Sequence, residues 1–178
     1  ACCMNLDLVK RTGTVVLDVT LIEKETLRTC LEMTCDVISA GLGLSDLGII
    51  LEAGECVGKT TVPRGMIGIG TVSSASIKGI CLKNAIPASI QFGGILEIRK
   101  KQPFRFTEII KYDSTTINPL EMFCRGGMTN YRGVITTGNG SIGASYWEFP
   151  IITRGIVEQL SKNIISLGIG GINRIGQC

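Results

Sequence analysis

Two short stretches of this 178-residue chain carry the residue types that hold an anion. The first is Gly68-Ile69-Gly70-Thr71-Val72-Ser73-Ser74, with Lys78 about one helical turn further on. If a strand delivers these residues to a helix start, the free amides of the first turn and the positive end of the helix dipole face one point. Ser73 and Ser74 would add hydroxyl hydrogen bonds, and Lys78 a charge. The order is neither G-x-x-x-x-G-K-[ST] nor G-x-G-x-x-G, because Thr71, Val72 and Ser73 follow Gly70. A plainer reading stays open, in which the serines cap a helix and the glycines allow close packing. The second stretch is Thr136-Thr137-Gly138-Asn139-Gly140. Such loops present successive backbone amides as an anion-binding nest. Arg125 and Arg132 flank it in sequence, and arginine can hold a carboxylate through two parallel hydrogen bonds. The alternative is a tight turn before a strand.

Other chemistry is limited by what the chain lacks. It has no histidine, which excludes Ser-His-Asp and Cys-His catalysis, histidine metal ligands and an imidazole pH switch. Glu97, Glu108, Glu121 and Glu148 fall on or near expected elements, but their spacing selects no acid–base pair. No catalytic residue is assigned. The eight cysteines are Cys2, Cys3, Cys30, Cys35, Cys56, Cys81, Cys124 and Cys178. Cys30 and Cys35 leave four residues between them with no second such pair, so no metal site is assigned. With no signal peptide read, the thiols are expected to be reduced and mostly buried in a cytoplasmic protein. Cys2 and Cys3 are placed in a fraying end. Cys56 and Cys124 lie near loops and are the candidates for redox sensitivity.

The net charge of +3 is too small to imply nucleic acid by itself. The longest basic run, Arg99-Lys100-Lys101, reads as a hairpin tip, either solvated or touching phosphate. Tyr146-Trp147 reads as core or interface before base stacking. Apolar types at 44% and charged types at 19% exclude a disordered chain and allow one domain or two small ones. No apolar run reaches the length of a membrane-spanning helix.

The elements that must position these residues follow from periodicity. Gly13–Ile22 alternates and is apolar or β-branched on both faces, as in an internal strand. Leu27, Cys30, Leu31, Thr34, Val37 and Ile38 form a helical stripe, stopped at Gly41 and Gly43. Leu47–Leu51 and Met66–Val72 read as strands, with a loop or irregular hairpin over Glu52–Val62. A serine-capped helix follows Met66–Val72 and ends near Asn84. Ile90–Arg99 and Phe104–Tyr112 pair as a hairpin across Lys100–Pro103, with a bulge at Gly93-Gly94. Asn118 caps a short helix that begins at Pro119 and stops at Gly126-Gly127. Tyr131–Thr136 is ambiguous, and Ser141–Phe149 is a strand. Thr153–Leu167 is a helix with a stripe of Ile156, Val157, Leu160, Ile164 and Ile165, stopped by Gly168. Gly171–Ile175 returns to the sheet. The interleaving predicts an α/β chain of mixed α+β type: one layered domain with a mixed sheet and about four helices.

Three segments in this order resemble the NrpR family of archaeal nitrogen-regulation repressors: AGLGLSDLGIILEAGE (Ala40–Glu55), GMIGIGTVSSASIKGICLKNAIPASIQFGGILEI (Gly65–Ile98) and RFTEIIKYDSTTINPLEMFCRGGMTNYRGVITTGNGSIGASYWEFP (Arg105–Pro150). The resemblance implies a cytoplasmic repressor of nitrogen-assimilation genes. Such proteins join a winged-helix DNA-binding domain to one or two nitrogen-regulatory domains and act as dimers or higher oligomers at palindromic operators. The family's effector is 2-oxoglutarate, whose binding lowers operator affinity; no other cofactor is implied. This chain looks like a regulatory domain alone, without a helix-turn-helix pattern, so operator DNA would be met through a winged-helix domain absent from it. The Ala1-Cys2-Cys3 start fits an excised domain, with residues 1–12 as a leading or linker segment and 13–176 as the effector-sensing domain. The implied effector is a dianion. Ser73, Ser74 and the following helix amides are assigned to one carboxylate. Arg125 or Arg132, with Thr137, Gly138 and Asn139, is assigned to the other, and Lys78 is a weaker charge partner. Two rival readings stay open: an oligomerisation domain with no ligand of its own, and a small-molecule enzyme.

Overall fold

A computed structural model describes residues 4–170, 172 and 174–176. The elements in order are β1 (Leu17–Glu23), α1 (Leu27–Ser39), β2 (Gly48–Leu51), β3 (Cys56–Val57), β4 (Thr60–Thr61), β5 (Met66–Val72), α2 (Ala75–Lys83), β6 (Ser89–Arg99), β7 (Gln102–Lys111), α3 (Pro119–Arg125), α4 (Tyr131–Thr137), β8 (Gly140–Glu148) and α5 (Arg154–Ile165). They divide into two compact units, one built from Ala1–Ile86 with Ile151–Cys178, the other from Pro87–Pro150. The α+β class agrees with the sequence reading, but the single mixed sheet does not form. Every pairing between described strands is antiparallel, in the orders β1-β5-β2, β3-β4 and β7-β6-β8.

In the first unit β5 is the central strand, and β1 is an edge. The internal place expected for β1 is therefore corrected. Asp18 and Thr20 turn one face to solvent while Leu17, Val19 and Leu21 are half-buried, the pattern of a strand covered on one side. The stripe expected on α1 is present: Leu27, Cys30, Leu31, Thr34, Val37 and Ile38 are each half-buried, and no residue of that helix is fully buried. On α5 the stripe is narrower than expected. Val157, Leu160 and Ile164 are buried, whereas Ile156 and Ile165 lie exposed on its flanks. Gly168, at φ +74°, ends the last turn. The chain then returns to Ser45 at Ile169, as an isolated bridge. Of the expected Gly171–Ile175 strand, Gly171 and Asn173 lie outside the described residues, and Ile172, Arg174 and Ile175 are in no strand.

In the second unit β6 is central, between β7 and β8. Gly93-Gly94 is not the bulge. The register shifts against β7 fall at Ile95/Leu96 and Glu97/Ile98. The glycines are instead points of close approach: a Cβ on Gly93 would meet Pro119 Cβ at 3.0 Å, and one on Gly94 would meet the Glu108 carbonyl oxygen at 2.5 Å. The turn between β6 and β7 is tighter than expected, only Lys100-Lys101, with Arg99 paired to Gln102. Asn118 caps α3 by accepting from the Leu120 amide at 3.1 Å. The ambiguous segment is α4, the helix beyond the expected four.

Candidate functional site

Ser73 and Ser74 stand where β5 hands over to α2, as the sequence predicts, but their groups are largely committed within the protein. Ser73 is 6% exposed. Its amide donates to the Val16 carbonyl at 2.8 Å, and its Oγ accepts from the Ala75 amide at 3.4 Å. The Ser76 and Ile77 amides donate to the carbonyls of Ser73 and Ser74. Ser74 is at the cap position without a side-chain capping bond. The serine that does most for the junction is Ser76, at 0% exposure. Its Oγ accepts from the Val16 amide at 2.9 Å and donates to the Val16 carbonyl at 3.0 Å. Gly68 and Gly70 are packing glycines: a Cβ on Gly70 would meet Ile49 Cγ1 at 2.7 Å, and one on Gly68 would meet Leu51 Cβ at 3.1 Å. Ser74 and Lys78 are part-exposed, and Lys78 has no ion-pair partner among the described residues.

The second stretch forms the end of α4 and the start of β8. Asn130 Oδ1 accepts from the Gly133 amide at 2.8 Å to open the helix. Gly138, at φ +75°, closes it by donating its amide to the Val134 carbonyl. Thr137 Oγ donates to the Gly133 carbonyl at 2.8 Å and accepts from the Asn139 amide at 3.2 Å. The loop also receives the β6–β7 turn: the Lys101 amide donates to the Gly138 carbonyl at 2.8 Å, and the Lys100 amide to Asn139 Oδ1 at 3.1 Å. Arg125 is paired with Glu121 at 2.7 Å, one helical turn away. Arg132 is exposed and has no ion-pair partner among the described residues. Tyr131 accepts from the Gly143 amide at 3.2 Å, and burial pushes its phenol above the usual range.

The assigned residues therefore fall in different units. Ser73, Ser74 and Lys78 belong to the first, and Arg125, Arg132, Thr137, Gly138 and Asn139 to the second.

Two features escaped the sequence reading. Tyr146 and Trp147 do not form one cluster, because neighbours on a strand point to opposite faces. Tyr146 stacks on Phe92 at 5.1 Å between ring centroids, and Phe106 meets Phe92 edge-on at 5.0 Å. Glu97 accepts from Arg99 Nε at 2.7 Å and Arg105 Nε at 3.1 Å, and Arg99 lies 3.9 Å over the Phe104 ring. The available signal was Arg99 two residues after Glu97 on β6, with Arg105 opposite Glu97 on β7. The expectation of mostly buried thiols is corrected. Of the five described cysteines only Cys81 is buried, and burial raises its thiol pKa. Cys30 is half-buried on the α1 stripe, while Cys35, Cys56 and Cys124 lie on outward faces. No group of three potential metal ligands occurs among the described residues. No described helix is long and apolar enough to cross a membrane.

Similarity to known proteins gives this fold its class. A family model described as NrpR regulatory domains NRD1 and 2 matches residues 1–178, which makes the chain a regulatory domain and not an enzyme. It belongs to the NrpR regulatory-domain family of nitrogen repressors. The global nitrogen regulator NrpRI of Methanosarcina mazei is 30% identical over 165 residues, covering 93% of this chain and 50% of that protein. The global nitrogen regulator NrpR of Methanocaldococcus jannaschii is 31% identical over 120 residues, covering 67% of this chain and 20% of that protein. The chain thus spans half the length, or less, of these curated relatives. The crystal structure of a nitrogen repressor-like protein from Methanococcus jannaschii matches with a TM-score of 0.75 at 26% identity. That match covers 97% of this chain and 68% of the other.

Proposed function

We propose that residues 13–176, preceded by residues 1–12, sense 2-oxoglutarate in a cytoplasmic repressor of nitrogen-assimilation genes. The observation that carries this reading is the family match over the whole chain. Effector binding lowers operator affinity, and operator DNA is gripped by a winged-helix domain outside this chain. In the first unit the proposed carboxylate contacts are Ser74 and Lys78, with Ser73 holding the helix start. In the second unit the proposed contact is Arg132 or Arg125, with Thr137, Gly138 and Asn139 shaping the adjoining loop. Coupling is reciprocal, so operator DNA weakens effector binding by the same factor. Calorimetry of the purified chain with millimolar 2-oxoglutarate tests the proposal. Heat or thermal stabilisation that falls away in Lys78→Gln or Arg132→Gln is expected. Absence of both heat and thermal stabilisation in the parent chain would refute the sensing role.

The chain acts as a homodimer or higher oligomer. The supporting observation is exposed apolar surface in the first unit: Leu47 is 49% exposed and, on the edge strand β2, Ile49 is 38% and Ile50 51% exposed. Sedimentation of the parent against Ile50→Lys tests this. A lighter species is expected for the variant, and a monomeric parent would overturn it.

A further inference from the structure

The basic run at the β6–β7 turn is absorbed by none of the above. Its backbone is unusual. Lys100 at φ +50° and Lys101 at φ +63° both sit in the left-handed region, as in a two-residue type I′ hairpin, where Asn-Gly is the favoured pair. Two lysines there cost conformational energy that Asn-Gly would not. The turn is held regardless, by the Lys101 and Lys100 amides on Gly138 and Asn139. Beside it the two arginines are fixed. Glu97 binds both Nε atoms, and Phe104, 54% exposed, stacks under Arg99. Neither lysine has an ion-pair partner among the described residues. Four cations against one carboxylate leave this one turn a surplus equal to the net charge of the whole chain, +3.

We infer that this hairpin tip is a docking surface for the phosphate backbone of duplex DNA, a contact made by the regulatory domain itself and additional to any winged helix. The four cationic residues are exposed, and they are held by the turn's bonds to Gly138 and Asn139 and by Glu97 and Phe104. That suits an extended polyanion better than a small one. A duplex carries one phosphate per about 1.7 Å of axis, so a hairpin end about 10 Å long meets several at once. The contact reads charge and not sequence. The Lys-Lys pair, unfavourable for the turn, is then kept for its charge.

Fluorescence anisotropy of the 178-residue chain with a labelled duplex of random sequence, across a salt series and without effector, tests this. Binding at low salt is expected, with affinity falling linearly on a log–log plot. Lys100→Asn/Lys101→Gly installs the preferred turn. It should raise Tm while weakening binding roughly tenfold or more and flattening the salt slope by about two. Lys100→Gln/Lys101→Gln should weaken binding equally without the gain in Tm. No binding by the parent, or unchanged binding and slope in both variants, would overturn the inference. So would polyglutamate binding the tip more tightly than the duplex and displacing it, which would assign the surface to an acidic protein.

Discussion

Ser76 shows how a hydroxyl near a suspected anion site can serve the fold. Its Oγ satisfies both the amide and the carbonyl of Val16 at a fully buried position. Removing it strands the Val16 amide, at about 1–3 kcal/mol for a group left unpaired in the interior, while the Val16 carbonyl keeps the Ser73 amide. Ser76→Ala is therefore expected to lose about 2 kcal/mol in urea unfolding, and Ser74→Ala, part-exposed and without a capping bond, much less. Glu97 makes a pH prediction at the same scale. Hydrogen bonds from Arg99, then from Arg105, with their charges, hold its carboxyl below the ordinary glutamate range. A depressed carboxylate stabilises the fold above the ordinary value, and that contribution is lost as pH falls through the lowered one. The Tm gap between the parent and Glu97→Gln is expected to be widest near neutrality and to close in acid. A gap that stays constant with pH would show that the clamp adds nothing.

At the scale of elements, α4 is the informative case. Seven residues that include Gly133, Ile135, Thr136 and Thr137 form a poor helix on propensity, and far too short a one to stand alone. Its ends hold it. Asn130→Ala is expected to cost about 1 kcal/mol by loss of the cap. Gly138→Ala should cost about 1–2 kcal/mol from the left-handed backbone, and its Cβ would also press on Lys101 Cγ at 3.1 Å. Amide exchange in Tyr131–Thr137 should rise in both variants, and in Gly138→Ala at the Lys100-Lys101 turn as well. The same physics explains what periodicity can read. The α1 stripe is legible because a helix face repeats every three to four residues, and Asn118-Pro119 because a cap has a local signature. Whether β1 is central or an edge is not legible, since that depends on how many partners it finds. The glycines of Gly68–Gly70 look alike in sequence whether they admit a phosphate or the side chains of Ile49 and Leu51. For the same reason the serine with the buried, doubly bonded hydroxyl was not singled out, and Ser73 and Ser74 were.

For the whole molecule, chain connectivity decides which part depends on which. The second unit is one continuous segment, Pro87–Pro150, whereas the first is assembled from both sides of it. The later side supplies Val157, Leu160, Ile164 and Ile169 to the buried core. It also supplies the Gly168 carbonyl, which accepts from the Asp46 amide at 3.1 Å and from Ser45 Oγ at 2.6 Å. A chain ending at Pro150 therefore removes four buried apolar side chains from the first unit and nothing from the second. Each such side chain is worth about 1.5–3 kcal/mol of transfer energy, a total comparable to the stability of a whole small domain. The expected result is loss of amide protection in β1, β2 and β5 with protection kept in β6, β7 and β8. Residues 87–150 alone have a three-stranded sheet backed by α3, which meets the minimum for independent stability. At roughly 60 residues they should nevertheless be marginal, at about 3–5 kcal/mol. A dispersed amide spectrum and a cooperative urea transition of low midpoint are expected from this piece. Collapse of both units in the shortened chain would show that the continuous segment needs the split one to fold, and that the two are one cooperative body.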